Sequence, residues 1–287
     1  MRNSKRRNGF AWLVLLLALC VIALSGYKLK EIQRTYRVGD ESYKELLNLV
    51  RPGGAPPVIR VSEAPYESSN EEEMIAEIEV PDMSIDFPVL ETINPDAAAW
   101  LYSPDTVIDY PVMRANDYDY YLHHLPDGTQ NANGTLFIDY NCSPDFSDKL
   151  TIVYGHNMKS GKMFGSIVGY KKQSYYEQHP YMYLYLDGTN YRIDLMYGCV
   201  IGVGEWRERA FMFSENLSSF LAYASHTTTF TSEVELAQSD RIIAMSTCSY
   251  EFDGARYVLI GVLRPEHENS VAPIGDTTSS DFIAFSM

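Results

Sequence analysis

The sequence from Arg241 to Leu263 reads RIIAMSTCSYEFDGARYVLIGVL, and it predicts two neighbouring β-strands joined by a tight loop. The stretches on either side of the loop are mostly apolar or β-branched, as is typical of buried strands. Between them, Asp253-Gly254 suits a turn that needs positive φ. If the loop is symmetrical, Cys248 and Arg256 face each other at its mouth, with Cβ atoms roughly 5 Å apart. A thiol beside a permanent cation is favoured as the thiolate, which is its reactive form.

The composition limits the classes of function that the chain can serve. With 287 residues, of which 46% are hydrophobic, the chain can bury a full core in one or two domains. Its net charge is −15, and the first nine residues carry four basic side chains and no acidic one, so the rest of the chain is more acidic still. An acidic body argues against nucleic acid as a partner, because phosphate binding needs a basic face.

An apolar run from Phe10 to Leu24 follows the basic residues at the N-terminus. The positive-inside rule places residues 1–9 in the cytoplasm and exports the rest of the chain. A signal anchor, a cleaved signal peptide and a lipoprotein signal are all open, although the bulky Leu19 before Cys20 fits a lipoprotein signal poorly. We favour an uncleaved, single-pass transmembrane anchor over residues 10–27, with the catalytic part of the chain outside the cell.

The region after the anchor divides into a stalk, a compact domain and a tail. Residues 28–74 are predicted to form a helical stalk and a linker, in which Gly39-Asp40 interrupts the helical pattern and RPGGAPP at 51–57 ends it. The stalk is therefore either one helix or a pair of helices. Residues 75–266 have the pattern of a compact domain, and residues 267–287 form a polar C-terminal tail.

Short strands recur along the compact domain. They are predicted to begin near Trp100 and to continue at residues 106–112, 134–139, 150–156, 181–186 and 191–203, before the two strands of the opening stretch. Short helices are expected at residues 162–170 and 174–179, and a longer amphipathic helix at 210–225. This order predicts a mainly β protein that forms a closed or nearly closed barrel.

The cysteines separate one reactive candidate from two inert ones. Three cysteines follow the anchor, so at least one of them has no intramolecular partner. Cys199 lies in an apolar strand and is expected to be core. Cys142 lies in a loop, and it is either a free thiol or the partner of Cys199. No cysteine pair has zinc-ligand spacing, so we expect no metal and no cofactor.

A nucleophilic cysteine needs an acid–base partner, which is normally histidine. Among the six histidines, His156 alone follows a strongly apolar strand through a glycine. We interpret Gly155 as a residue that lets the backbone turn and places the imidazole at the rim of the barrel. The other five histidines lie in a helical turn, at a helix end, before a proline or in the polar tail.

These residues together resemble those of a known enzyme family. Tyr154-Gly155-His156, then Ser246-Thr247-Cys248, then Arg256, in that order behind an N-terminal anchor, resemble a sortase. The resemblance to class B sortases covers roughly residues 75–266, and it includes INPD at 93–96 with Trp100, IDYP at 108–111, NGTLFID at 133–139 and MF at 163–164. The chain departs from the family pattern at Ala98-Ala99 and at Ala244-Met245.

The resemblance implies a fold and a set of catalytic roles. It implies a closed sortase-type β-barrel with an N-terminal helical extension, short helices after the histidine loop and one helix before the cysteine strand. It also implies that Cys248 is the nucleophile, His156 the general acid and base, and Arg256 the group that stabilises the oxyanion and the substrate. Ser246, Thr247 and Asn133 are candidate substrate-binding residues, although packing or turn roles explain them as well.

The resemblance further implies a cysteine transpeptidase at the surface of a Gram-positive-type cell. Its substrates would be secreted proteins with a C-terminal sorting motif, commonly with proline in its middle and threonine before the cut. The acceptor would be the amine of a peptidoglycan precursor or the lysine of a pilin, so anchoring and pilus polymerisation are both open. An exported cysteine hydrolase, with water as acceptor, would use the same residues, and a binding protein on the same barrel would use none of them.

Overall fold

The structure is a computed structural model that describes residues 2–51, 81, 83–206 and 217–266. Within these residues the α-helices that can be followed from end to end are α1 (Arg2–Val50), α2 (Phe87–Ile93), α3 (Gln173–Gln178) and α4 (Leu217–Thr227). Residues 203–206 are also helical. Two short 3₁₀ helices lie at Tyr120–Leu122 and Ser166–Lys171. The described strands are β1 (Ala97–Tyr102), β2 (Asp109–Arg114), β3 (Leu136–Ile138), β4 (Leu150–Tyr154), β5 (Tyr181–Leu186), β6 (Thr189–Gly202), β7 (Arg241–Cys248) and β8 (Ala255–Pro265).

The strands close into one barrel in the order β1-β2-β3-β4-β7-β8-β6-β5, and β5 pairs back onto β1. The pairs β2–β3 and β4–β7 are parallel, and the other pairs are antiparallel. Closure confirms the expected mainly β barrel, in which each described strand has a neighbour on both sides. Pro111 fits within β2 because pairing with β3 begins one residue later, at Val112.

Strand β7 is apolar on both faces because it separates two hydrophobic clusters. Ile243 and Met245 point into the barrel interior, whereas Ile242 and Ala244 pack in the outer cluster that includes Phe220 of α4. Strand β8 alternates in the same way, and it pairs with every residue of β7. A strand covered on both faces has a near-continuous apolar sequence, which explains the opening stretch.

Helix α1 runs without a break through Gly39-Asp40, so the predicted interruption at that dipeptide is wrong and the single-helix alternative holds. The glycine allows a close approach, since a Cβ atom at position 39 would lie 2.3 Å from Nδ2 of Asn133. Farther along the helix, Leu46 and Val50 are buried with Leu90 of α2 against Trp100. The C-terminal half of α1 is therefore part of the globular domain.

The other predicted elements agree with the structure in kind and differ in extent. The short helices after His156 are present at Ser166–Lys171 and Gln173–Gln178. The helix expected at 210–225 is observed at Leu217–Thr227, and residues 210–216 lie outside the described part of the chain. Most of the expected linker, residues 52–74, the first residues of the expected compact domain, 75–80, and the expected tail, residues 267–287, also lie outside it.

The N-terminal part of α1 meets the length and composition of a membrane-crossing helix, and it is the one such helix within the described residues. Its most apolar stretch is exposed, and none of the described barrel residues covers it. These properties are compatible with a single-pass anchor at this position.

Candidate active site

The hairpin of β7 and β8 brings the thiol and the guanidinium together. Cys248 ends β7 and pairs directly with Arg256 near the start of β8, as the sequence predicts. The loop between them turns at Gly254, whose φ is 75°, as the Asp-Gly dipeptide indicates. Both Cys248 and Arg256 are half-buried, so solvent reaches the site while the strands hold the backbone.

His156 reaches the same place through the parallel pairing of β4 with β7. Tyr154 pairs with Ser246. One residue beyond β4, the Gly155 amide donates to the Ser246 carbonyl at 3.2 Å. The Thr247 hydroxyl donates to the Gly155 carbonyl at 2.7 Å. These bonds hold the end of β4 beside the end of β7, so the residues that follow each strand are neighbours.

Gly155 is needed for packing rather than for a turn. Its φ is not positive, unlike that of Gly254, so the backbone conformation here does not require glycine. The interpretation of Gly155 as a residue needed for a turn is therefore wrong. A Cβ atom at position 155 would lie 2.4 Å from Cδ2 of Leu136 and 2.7 Å from Cδ2 of Phe164. A larger residue would collide with Leu136 and Phe164, so either these side chains or the backbone before His156 would have to move.

A backbone carbonyl fixes the orientation of the His156 ring. Nε2 of His156 lies 2.7 Å from the carbonyl oxygen of Leu122. A carbonyl oxygen only accepts, so Nε2 carries the proton of this bond. In the neutral ring Nδ1 is then the free basic nitrogen. The segment after the histidine is held in turn, because the Phe164 amide donates to the His156 carbonyl at 3.0 Å.

Cys248, His156 and Arg256 line one cavity of about 130 Å³. Its walls are mainly apolar and aromatic, and they include Tyr118, Leu122, Phe137, Tyr154, Val203 and Trp206. A small number of polar groups in an apolar pocket is the usual composition of a site that orients a substrate. The arrangement brings a thiol, an imidazole and a guanidinium to one cavity.

The remaining barrel thiols are unsuited to nucleophilic attack. Cys142 and Cys199 are free, so they form no disulfide with each other. Burial raises the pKa of the Cys142 thiol to about 11. Burial likewise raises the pKa of the Cys199 thiol to about 12. Both therefore remain protonated at neutral pH, and a thiol without its thiolate is a poor nucleophile.

The three candidate substrate-binding residues have different surroundings. Ser246 lines the cavity, and its buried hydroxyl has no hydrogen-bond partner among the described residues. Thr247 also lines the cavity, but its hydroxyl is engaged by Gly155. Asn133 is buried against α1, where its Nδ2 lies 3.5 Å from the Tyr36 carbonyl, and it is not among the residues that line this cavity.

Two contacts at the site are not among those predicted from the sequence. The Leu122 carbonyl holds His156 through a backbone atom, which any residue type supplies. Asn157 donates from Nδ2 to the Cys248 carbonyl at 2.8 Å and so fixes the residue that carries the thiol. Asn157 follows His156 directly, and its position next to a catalytic candidate is the one indication that the sequence offers.

Lys171 anchors the loop that follows Cys248. Its Nζ lies 2.8 Å from the Ser249 hydroxyl and forms a close ion pair with Glu251. Burial opposes ionisation of Glu251, but hydrogen bonds from Lys171 and Ser249 outweigh it and lower the pKa of the carboxyl. The Ser249 amide donates to the Ala255 carbonyl at 2.9 Å, which closes the loop at its base.

No cluster of histidine, cysteine and acidic side chains suited to a metal occurs within the described residues.

Comparison with known proteins identifies related chains. No protein-family model matches the chain. It is 35% identical over 183 residues to sortase B of Listeria monocytogenes, and the match covers 61% of this chain and 72% of that protein. The structure matches sortase B of Clostridium perfringens with a TM-score of 0.57 at 28% identity, over 61% of this chain and 97% of that one. It matches a sortase B in complex with triglycine with a TM-score of 0.57 at 25% identity, over 62% of this chain and 85% of that one.

Proposed function

The chain belongs to the sortase B family and is a cysteine transpeptidase, and we propose that it attaches secreted proteins to the cell wall from a membrane anchor. It would cleave a C-terminal sorting motif and transfer the new acyl group to the amine of a peptidoglycan precursor. The observation that carries the proposal is the convergence of Cys248, His156 and Arg256 on one cavity. Nucleophile, acid–base group and oxyanion donor are the parts that acyl transfer requires.

In the first half-reaction, Sγ of Cys248 attacks the carbonyl carbon of the scissile peptide bond. The carbonyl oxygen becomes an oxyanion, which the Arg256 guanidinium stabilises as a permanent charge. His156 takes up the proton of the thiol and gives it to the leaving nitrogen, so the C–N bond breaks and a thioester remains. The second half-reaction reverses these roles. The acceptor amine attacks the thioester, His156 removes its proton and passes it to the leaving sulfur of Cys248, and the C–S bond breaks.

The His156 ring orientation supports this assignment. Because Nε2 donates to the Leu122 carbonyl, Nδ1 is the nitrogen that exchanges protons with the thiol and the two amines. A histidine held by one nitrogen keeps the other at a constant position through both half-reactions. This is the arrangement that a group acting first as acid and then as base needs.

The cavity walls support a peptide substrate. Aromatic and aliphatic side chains suit an extended segment that contains proline, and Ser246 lies in the cavity wall with a buried hydroxyl that has no partner among the described residues. Ser246 is therefore the strongest of the three candidate substrate contacts. The acceptor is proposed from similarity to a sortase B whose structure has been solved in complex with triglycine, a peptide with a free amine.

The test of the proposed function compares amine and water as acceptors. The enzyme is incubated with a mixture of peptides that contain proline followed by threonine, first alone, then with triglycine, and then with triglycine and a peptide that offers a lysine side chain. We expect products joined to triglycine, and slower hydrolysis in its absence. Equal rates with hydrolysis products alone would identify a hydrolase. Transfer to a lysine side chain in preference to triglycine would identify a pilin-polymerising enzyme.

Arg256→Lys tests whether the guanidinium contributes more than charge. Lysine keeps the positive charge but loses the planar pair of donors, so we expect turnover to fall by about 10²-fold. Arg114→Lys is the matched control, because Arg114 is half exposed and pairs with Asp96 outside the cavity. Turnover is measured with the peptide mixture and triglycine. Wild-type turnover in Arg256→Lys would show that charge alone is sufficient.

The membrane anchor is tested by truncation. We expect deletion of residues 1–27 to give a soluble, active enzyme, because the contacts of α1 with the barrel begin near Thr35. Deletion through residue 51 is the comparison, since it also removes the buried residues Leu46 and Val50. Burial of each of these side chains contributes roughly 2 kcal/mol to the free energy of unfolding. Solubility, activity and thermal unfolding are measured for both. Loss of folding in the shorter deletion would contradict a tether role for residues 1–27.

A further inference from the structure

Residues 35–43 of helix α1 are bound to a loop of the barrel, residues 131–135, which we call the docking loop. Nδ2 of Asn131 donates to the Thr35 carbonyl at 3.0 Å. The Tyr43 hydroxyl donates to the Gly134 carbonyl at 2.6 Å. Between these bonds Gly39 packs directly on Asn133, at a distance that leaves no room for a side chain. The helix is thus fixed to this loop at three successive turns.

The docking loop in turn holds the segment that contains Leu122. The Asn131 amide donates to the His123 carbonyl, and the Thr135 amide donates to the Tyr121 carbonyl, each at 2.8 Å. The Thr135 hydroxyl donates to the His124 carbonyl at 2.8 Å. The contact is close, because a Cβ atom at Gly134 would lie 2.8 Å from the Leu122 carbonyl oxygen. A displacement of the docking loop therefore moves Leu122.

Leu122 completes the connection, since its carbonyl oxygen accepts the hydrogen bond from Nε2 of His156. A second link joins the helix to the segment after the histidine, where Lys162 pairs with Asp40 at 2.5 Å. Helix α1 therefore contacts the elements on both sides of His156, although none of its residues lines the cavity.

We propose that residues 35–43 of α1 position His156 through the docking loop and the Leu122 carbonyl, and that Gly39 and Asn133 are positioning residues for the reaction. The inference rests on the proposed acid–base role of His156. The same continuous helix carries the apolar run, and only about 16 Å of helix rise separates Leu24 from Thr35. The membrane helix and the catalytic histidine are thus connected by a short, rigid path.

Gly39→Ala in the full chain, purified in detergent, tests the proposal. The new Cβ atom must displace Asn133, so we expect the His156–Leu122 bond to weaken. Gly26→Ala is the matched control on the same helix, because no atom lies within 4 Å of a Cβ atom there. Both substitutions replace glycine by alanine in a helix, so they change helix propensity alike.

The measurement is an NMR spectrum that correlates the ring nitrogens and ring protons of ¹⁵N-histidine-labelled protein through two bonds. The signals of His156 are those that are missing from the spectrum of His156→Ala. We expect the ratio of the Nε2–H to the Nδ1–H tautomer to fall by about threefold or more in Gly39→Ala, as loss of a hydrogen bond predicts. It should be unchanged in Gly26→Ala. The spectrum needs no substrate, so its result is independent of whether transpeptidation is observed.

Tyr43→Phe is a second variant, which removes the hydroxyl bound to the docking loop without adding an atom. We expect the same change in tautomer ratio, smaller than in Gly39→Ala. If Gly39→Ala does not fold, Tyr43→Phe decides the question by itself. Wild-type spectra in every variant that folds would overturn the proposal, even if the variants were less stable, because a merely structural contact changes stability and leaves the ring unaffected.

Discussion

Cys248→Ala forms no thioester with any peptide of the proposed substrate class, and its turnover falls to the uncatalysed level. The reason is that Cys248 is the one barrel thiol in the cavity with His156 and Arg256, whereas burial keeps Cys142 and Cys199 protonated. Alanine leaves no atom that can form the covalent intermediate. The half-buried position of Cys248 means that the fold should be unaffected.

The measurement is the intact mass of the enzyme after incubation with the peptide mixture and no amine. We expect the wild type to gain the mass of the acyl fragment, and hydroxylamine to remove it again. Cys142→Ala serves as the control, since it deletes a free thiol outside the cavity and should acylate normally. An acyl adduct on Cys248→Ala, or its loss in Cys142→Ala, would contradict the assignment.

The sequence predicts the hairpin at the site because the relevant signals are local. A turn dipeptide between two apolar strands fixes a register, and the register alone places Cys248 opposite Arg256. The barrel is also predictable in kind, since short strands at regular spacing have few ways to bury their apolar faces. The hairpin inference depends only on residues between Arg241 and Leu263, whereas the barrel inference uses the recurrence of strands along the whole domain.

The approach of His156 to Cys248 depends on contacts that no local pattern records. It follows from the parallel pairing of β4 with β7, two strands separated by more than eighty residues. Resemblance to a family implies that the two residues meet, whereas residue patterns by themselves indicate only a histidine after a strand. The carbonyl of Leu122 that orients His156 belongs to the backbone, so the identity of the residue at this position does not predict the contact.

The glycines show where local reasoning is wrong. Local patterns predict that Gly39 interrupts a helix and that Gly155 makes a turn, because glycine is conformationally permissive. Both are instead sites of close approach, to Asn133 and to Leu136 with Phe164. The absence of a side chain serves packing between distant segments in each case. Gly254 is the contrasting example, since its positive φ is a local requirement that the Asp-Gly dipeptide predicts.

His156→Ala retains the nucleophile but loses turnover by about 10²- to 10⁴-fold, the usual contribution of a general acid–base group. The thiol remains in place, because Asn157 and the β7–β8 pairing hold Cys248 without help from the imidazole. What is lost is the base for the thiol, the proton donor for the leaving nitrogen and the base for the incoming amine. Both half-reactions should therefore slow, and added imidazole should restore part of the rate.

The control is His123→Ala, since the His123 ring lies 6.4 Å from that of His156 but is not among the residues that line the cavity. Turnover of the peptide mixture with triglycine is measured for both variants, together with alkylation of Cys248 by iodoacetamide. We expect His123→Ala to retain wild-type turnover and His156→Ala to remain alkylated at Cys248. Loss of turnover in His123→Ala, with full activity in His156→Ala, would assign the acid–base role to the neighbouring ring. A His156→Ala variant whose Cys248 no longer reacts with iodoacetamide, even after long incubation, would show that the substitution displaces the thiol rather than removing the proton carrier alone.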